Sequence, residues 1–233
     1  MRVCLTLPIY LRGKSNNRVT GLAIRHYASF GWPLHVCGSE GSLSADYVQP
    51  YLSDKVKYIE VPQERFSTAS NGDYVLRKKF NDSIETHGHG YDWYCMMGAD
   101  DFVPRLSYDF LTDTEQPTMA GVGIDQPFYI YEMATKRGIS VSLTYSNRLN
   151  LLPGLNAFNA PAMKICHWKP YHRWGSESGA ELYFKEFGDV CKMSGYVVNI
   201  KEGKVLNDFS KVKRVHNWTK ITQSELDVVN SYL

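Results

Sequence analysis

Tyr91-Asp92-Trp93-Tyr94-Cys95-Met96-Met97-Gly98-Ala99-Asp100-Asp101-Phe102-Val103-Pro104 runs six large or apolar residues into a glycine and two adjacent carboxylates. The apolar part, Tyr91 and Trp93 to Met97, suits a strand buried on both faces in the middle of an α/β sheet. Gly98 breaks the run, and Pro104 stops any return to sheet. Asp100 and Asp101 are therefore expected just past the carboxyl end of a central strand, where open α/β sheets bind their ligands. Two carboxylates there repel each other unless a cation or a proton intervenes, so one reading is a divalent-metal site. The other is an Asp pair capping a helix that starts near Pro104. The stretch taken alone weighs the two about equally.

The chain has 233 residues, enough for one large domain or two small ones. Hydrophobic residues make up 43% and charged residues 21%, a globular balance that excludes wholesale disorder. The 16 Tyr and 5 Trp suit sugar or base stacking and, more often, a core. A net charge of +2 neither requires nor excludes a polyanionic partner. Cys4, Cys37, Cys95, Cys166 and Cys191 include no C-x-x-C pair, against a zinc knuckle or a disulfide framework. Three of them lie in apolar runs, where a free thiol behaves as a small hydrophobe. A reducing cytoplasm is expected, with neither a signal peptide nor a membrane span.

Outward from the central stretch, strands are expected at Val3–Ile9, Leu34–Cys37 and Val56–Val61. Val19, Leu22, Ala23, His26, Tyr27 and Phe30 recur at helical spacing, with Asn16 or Asn17 as cap. His26 falls on the apolar face and reads as a packed core histidine. A second helix opens at Asn71-Gly72-Asp73 and buries Leu76, Phe80 and Ile84. Its Arg77, Lys78 and Lys79 oppose the helix dipole and call for an anion, or for Lys78 paired with Asp82. The basic loop at Arg12, Gly13 and Lys14, followed by Arg18, offers a second place for a phosphate, or is merely solvated. The order β-α-β-β-α-β implies a mainly parallel sheet.

The second half reads differently. Pro104–Leu111 suits a short helix, Thr118–Ile124 a strand, and Phe128–Ala134 with Ile139–Tyr145 a hairpin. Asn147–His167 reads as loop-rich. Trp168, Tyr171, His172 and Trp174 cluster with Lys169 and Arg173. Glu177–Phe187 suits a helix and Tyr196–Ile200 a strand. A basic tail from Lys201 to Lys220 follows, and Thr222 with Glu225 forms a capping box.

Several of these segments, in this order, resemble small family-two-like glycosyltransferases of the GT-A fold, close to compact phage-encoded members. The resemblance rests on Thr6-Leu7-Pro8-Ile9-Tyr10, Gly38-Ser39-Glu40-Gly41, Leu76-Arg77-Lys78-Lys79-Phe80-Asn81 and Asp92 to Asp101, the last like a strand leading into a D-x-D-type motif. It continues with Gly154-Leu155-Asn156-Ala157-Phe158 and Ser178-Gly179-Ala180-Glu181-Leu182. It implies one α/β domain with a mainly parallel central sheet flanked by helices and a smaller antiparallel element in the second half. Residues 1–104 would be the donor half and 105–233 the acceptor half, with a closing C-terminal segment.

The activity implied is transfer of a hexosyl or pentosyl group, with inversion, from a nucleotide sugar (UDP-linked by expectation) to an acceptor hydroxyl. A diphosphate leaving group needs charge neutralisation, which metal and cationic side chains supply. By resemblance, Pro8, Tyr10, Arg12 and Glu40 border the donor, and Lys79 and Asn81 face it. Asp100, Asp101 and His216 hold Mn²⁺ or Mg²⁺. Glu181, with Glu177 second, is the base that takes the acceptor proton; both equally suit a helix surface. The acceptor is a saccharide or a modified base of phage DNA, in a host cytoplasm. The chain departs from the usual motif at Gly98, where the first Asp would stand. Two other classes stay open: a nucleotidyltransferase on a related sheet, and a non-catalytic carbohydrate- or DNA-binding protein.

Overall fold

The computed structural model describes residues 1–9, 11, 17–40, 43–61, 79–86, 88–112, 119–124, 128–141, 156–165, 167–168, 189–193, 195–203 and 218–233. The first half gives β1 (Val3–Pro8), α1 (Asn17–Ala28), β2 (Leu34–Ser39), a short α2 (Ser44–Val48) and β3 (Val56–Val61). A helix at 79–86, α3, precedes β4 (Trp93–Met96) and the two-residue β5 (Asp101–Phe102). The second half adds β6 (Met119–Ile124), β7 (Phe128–Glu132), β8 (Arg137–Val141), β9 (Asn156–Asn159), α4 (Ala160–Ile165), β10 (Asp189–Met193), β11 (Val197–Lys201), β12 (Trp218–Lys220) and α5 (Gln223–Asn230).

Two sheets result. The larger has seven strands in the order β10-β6-β9-β4-β1-β2-β3. β1 pairs parallel with both β2 and β4, and β3 extends the parallel set beyond β2. β1, β2 and β4 are buried at every position, the signature of strands covered on both faces. β9 is antiparallel to both its neighbours, β4 and β6. The smaller sheet has five strands, β12-β8-β7-β11-β5, in which only the β7–β11 pair is parallel. The α/β class, the parallel centre and the smaller antiparallel element match the expectation from sequence.

Two expectations change, and a third is described only in part. The segment after Pro104 is a 3₁₀ helix, Arg105–Thr112, and Asp101 does not cap it: Asp101 is the first residue of β5. The stretch 147–167, expected as loop-rich, contains β9 and α4. β9 carries no alternation to read because it is inserted between two strands and Ala157 to Asn159 are all buried. The helix expected from residue 71 is described only from 79, and Phe80 and Ile84 do pack inward.

α1 ties the two sheets together. Its apolar face buries Val19, Ala23, Ile24 and Tyr27. The Tyr27 hydroxyl donates to the Asp101 carbonyl at 2.5 Å, and His26 Nε2 donates to the Val103 carbonyl at 2.7 Å. The His26 ring also contacts Tyr27, Phe30, Phe102 and Tyr232, so it is the core histidine expected. Burial lowers its pKa and outweighs the carbonyl bond that raises it. Tyr27→Phe should leave the Asp101 carbonyl short of a donor and cost about 1–2 kcal/mol, read as a lower urea midpoint at unchanged m-value.

Candidate functional site

β1, β2 and β4 are adjacent and parallel, so their carboxyl ends share one edge. Pro8 is the last residue of β1, Glu40 follows β2, and Asp100 follows β4. The outer two of these three strands lie two inter-strand spacings apart, about 10 Å, the order of span a nucleotide needs. Glu40 is exposed there, and its N–H continues the ladder to the Val61 carbonyl at 2.9 Å. The edge therefore gathers Pro8, Glu40 and Asp100 from distant parts of the sequence.

The two carboxylates after β4 have different fates. Asp101 is 4% exposed, and its Oδ1 accepts from Asn199 Nδ2 at 2.7 Å. β5 pairs antiparallel with β11, which puts Asn199 opposite Asp101. Gly98 explains the packing: a Cβ built there would lie 2.5 Å from Asp101 Oδ2 and 2.9 Å from Asp101 Cβ. The buried Asp101 side chain thus fills the volume that a side chain at position 98 would need. Asp100 stays open. Its carbonyl accepts from Ile200 N at 2.8 Å, while its Oδ2 is ion-paired with Lys201 Nζ.

Lys201 ends β11, and its neighbour Glu202 reaches across 184 positions of sequence to α1. Glu202 Oε1 accepts from Arg18 N at 2.9 Å and Val19 N at 3.2 Å. α1 has no acidic residue of its own in its first turn, so a distant carboxylate satisfies the first-turn amides and the dipole. The start of α1 is occupied by the protein's own anion, while the basic loop at Arg12, Gly13 and Lys14, which suggested a phosphate, lies outside the described residues. Asn16 and the side chain of Asn17 lie outside the described residues.

Of the set expected to hold Mn²⁺ or Mg²⁺, the described members are engaged by groups of the protein itself. Asp101 is buried on Asn199, Gly98 contributes no ligand, and Asp100 already faces an ammonium. Among the described residues no three His, Cys, Asp or Glu side chains group as a metal site. His216, Tyr10, Arg12, Glu177 and Glu181 lie outside the described residues.

Lys79 and Asn81 lie on α3, and both are buried. Lys79 Nζ donates to the Ile9 carbonyl at 2.7 Å, and its own carbonyl accepts from Cys37 Sγ. Lys79 thus supports the segment expected to border the nucleoside from beneath. Burial pulls its ammonium from an ordinary 10.5 down to about 8. Asn81 Oδ1 is buried with no hydrogen-bond partner among the described residues. Trp168, from the aromatic cluster, stacks on His89 at 3.7 Å and packs against Tyr94 near the start of β4. Cys4, Cys37 and Cys95 are free and buried, as small hydrophobes.

Sequence reading missed Asn199, Lys201 and Glu202 as parts of this edge. The one local signal was a polar Asn inside the apolar run Tyr196–Ile200. Nothing local links residue 201 to residue 100.

No family model matches the sequence, and no curated relative matches it. The fold is similar to that of solved transferases. TarS from S. aureus, residues 1–349 in complex with UDP-GlcNAc, superposes with a TM-score of 0.51 at 9% identity over 89% of this chain. This chain spans 61% of that one. A glycosyltransferase involved in glycosylation of the major capsid of PBCV-1 gives 0.46 at 10% identity, covering 100% of both chains. Rv0371c from Mycobacterium tuberculosis H37Rv, in complex with manganese, gives 0.49 at 11% identity over 90% of this chain and 97% of that one. The TarS superposition makes the fold GT-A-like.

Two outcomes follow from this geometry. Gly98→Asp should not restore a metal-binding motif: the new Cβ meets Asp101 Cβ, which β5 holds in place. The variant should lose about 1–3 kcal/mol by urea unfolding and gain no Mn²⁺ affinity. Lys79 gives a pH signature. Between pH 8 and 10.5 the unfolded chain holds a proton that folded Lys79 sheds, so this group adds stability as pH rises. The buried thiols of Cys4 and Cys37, pushed from 9.0 up to about 12, act oppositely above pH 9. Lys79→Met is compared with its parent in a Cys37→Ala background, because the Lys79 charge acts on the Cys37 thiol, while the Cys4 contribution cancels. The parent should gain on the variant by up to roughly 3 kcal/mol across the window.

Proposed function

We propose that the chain is a glycosyltransferase that moves a sugar from a nucleotide-sugar donor to an acceptor hydroxyl. The observation that carries the reading is the convergence of Pro8, Glu40 and Asp100 at the carboxyl edge of three adjacent parallel strands. The GT-A-like fold supports it, because that fold is shared with TarS, whose structure holds UDP-GlcNAc. In this reading residues 1–104 form the donor half, and the remainder forms the acceptor half with a closing C-terminal segment. Pro8, Tyr10, Arg12 and Glu40 border the nucleotide. Lys79 holds the Ile9 carbonyl of the segment beneath it, and Asn81 lies on the same helix.

The reaction balances as a displacement. The acceptor oxygen forms a bond to the anomeric carbon, and the bond from that carbon to the diphosphate oxygen breaks. Its electron pair leaves on the phosphate. The acceptor proton passes to a carboxylate, which we assign to Glu181 with Glu177 as second choice. The donor is a UDP sugar and the transfer inverts. The acceptor is a saccharide or a modified base of DNA. Trp168 does not serve that acceptor at the donor edge, since it is stacked on His89 near the start of β4.

Slow donor hydrolysis without acceptor is the test. Incubated with a panel of nucleotide sugars, the parent protein should release a nucleoside diphosphate from one of them. Asp100→Ala should reduce the rate at least tenfold, and Glu181→Gln should reduce transfer to acceptor by about 10²–10⁴. Release of pyrophosphate from a nucleoside triphosphate incubated with a sugar 1-phosphate, with no release from the nucleotide sugars, would identify a nucleotidyltransferase. Binding without turnover would leave a carbohydrate- or DNA-binding protein.

A further inference from the structure

The Lys201–Asp100 pair is placed by structure that does not bend easily. Val197, Val198, Asn199 and Ile200 are each at most 5% exposed. β11 runs in register with β7 over five positions, from Val197 opposite Phe128 to Lys201 opposite Glu132. The Lys201 carbonyl accepts from Met133 N at 2.8 Å, and the neighbouring Ile200 N donates to the Asp100 carbonyl. The backbones of both charged residues are therefore pinned. Their side chains are not sealed: Lys201 is 29% and Asp100 41% exposed. An ion pair this open contributes little to folding. Stability is a weak reason for holding an ammonium at this edge.

Ligand chemistry is a better one. A divalent ion held by two carboxylates leaves no net charge at a sheet edge, and so does one ammonium on one carboxylate. Directly after β4 one open carboxylate stands among the described residues, because position 98 is Gly and Asp101 is buried on Asn199. The charge of Lys201 matches that single acid. An ammonium has three N–H donors, so the Asp100 contact leaves two for phosphoryl oxygens. Glu202, next in sequence, is kept out of the way on the first turn of α1.

We propose that Lys201, steadied by Asp100, supplies the positive charge to the donor's diphosphate in place of a divalent cation. Donor binding then needs no metal. The inference rests on the transferase reading above, and the experiment separates the two. UDP, GDP, CDP, ADP and dTDP are titrated calorimetrically into the parent protein in excess EDTA and again with Mn²⁺. Electron paramagnetic resonance follows Mn²⁺ in the second series. The diphosphate that binds should do so within about twofold under both conditions, with no protein-bound Mn²⁺ signal. Lys201→Met should weaken it roughly tenfold or more, and Lys201→Arg should recover part of the loss. A melting curve checks that the variants fold; should Lys201→Met unfold, the EDTA series on the parent decides alone. Binding that appears only with Mn²⁺, or that strengthens with Mn²⁺ in Lys201→Met, would overturn the proposal and make Lys201 an occupant that metal displaces. In that case the transferase reading stands. Binding of no diphosphate under either condition overturns both.

Discussion

The hydrogen bond from Asn199 to the buried Asp101 carboxylate is the constraint on which the candidate site depends. A carboxylate at 4% exposure is tolerable only with a donor aimed at it. That requirement fixes the register of β5 against β11. The register in turn places Ile200 on the Asp100 carbonyl and Lys201 on its carboxylate. The Tyr27 hydroxyl holds the same turn from the α1 side. One strand, β11, and one helix, α1, both distant in sequence, thus converge on Asp100 and Asp101 after β4. Gly98 belongs to this packing, since the Asp101 side chain occupies the room a Cβ would take.

Charge at the edge is handled by pairing rather than by local sequence. α1 begins without an acidic residue, and a glutamate from the end of β11 supplies one. Asp100 ends the β4 segment without a second open acid, and the lysine beside that glutamate answers it. The dipeptide Lys201-Glu202 therefore carries one charge to each of two elements. Both charges arrive from the smaller sheet, so the relative placement of the two sheets sets the electrostatics of the edge. Lys79 contrasts with Lys201: burial depresses its ammonium, and it spends its donor on the Ile9 carbonyl. One lysine supports the backbone of the edge, while the other remains reachable by a ligand.

Local sequence determined the first half of this protein well. Continuous apolar runs made β1, β2 and β4 legible, helical spacing made α1 legible, and the Thr222–Glu225 capping box forms as read. These signals arise between residues within a few positions of one another, or from burial on both faces, so a single chain displays them. The break after Met97 also located the edge, with Asp100 at the end of a central strand. What only the tertiary structure decided is the division of labour between neighbouring carboxylates. Asp100 and Asp101 are identical in type and adjacent, and their difference is made by Asn199 and Lys201, about a hundred positions away. The antiparallel β9, its three described side chains all buried, showed no alternation to read and took its place through its neighbours β4 and β6. Partner choice across a sheet depends on which strands come to lie side by side, and no local pattern of residue types encodes that.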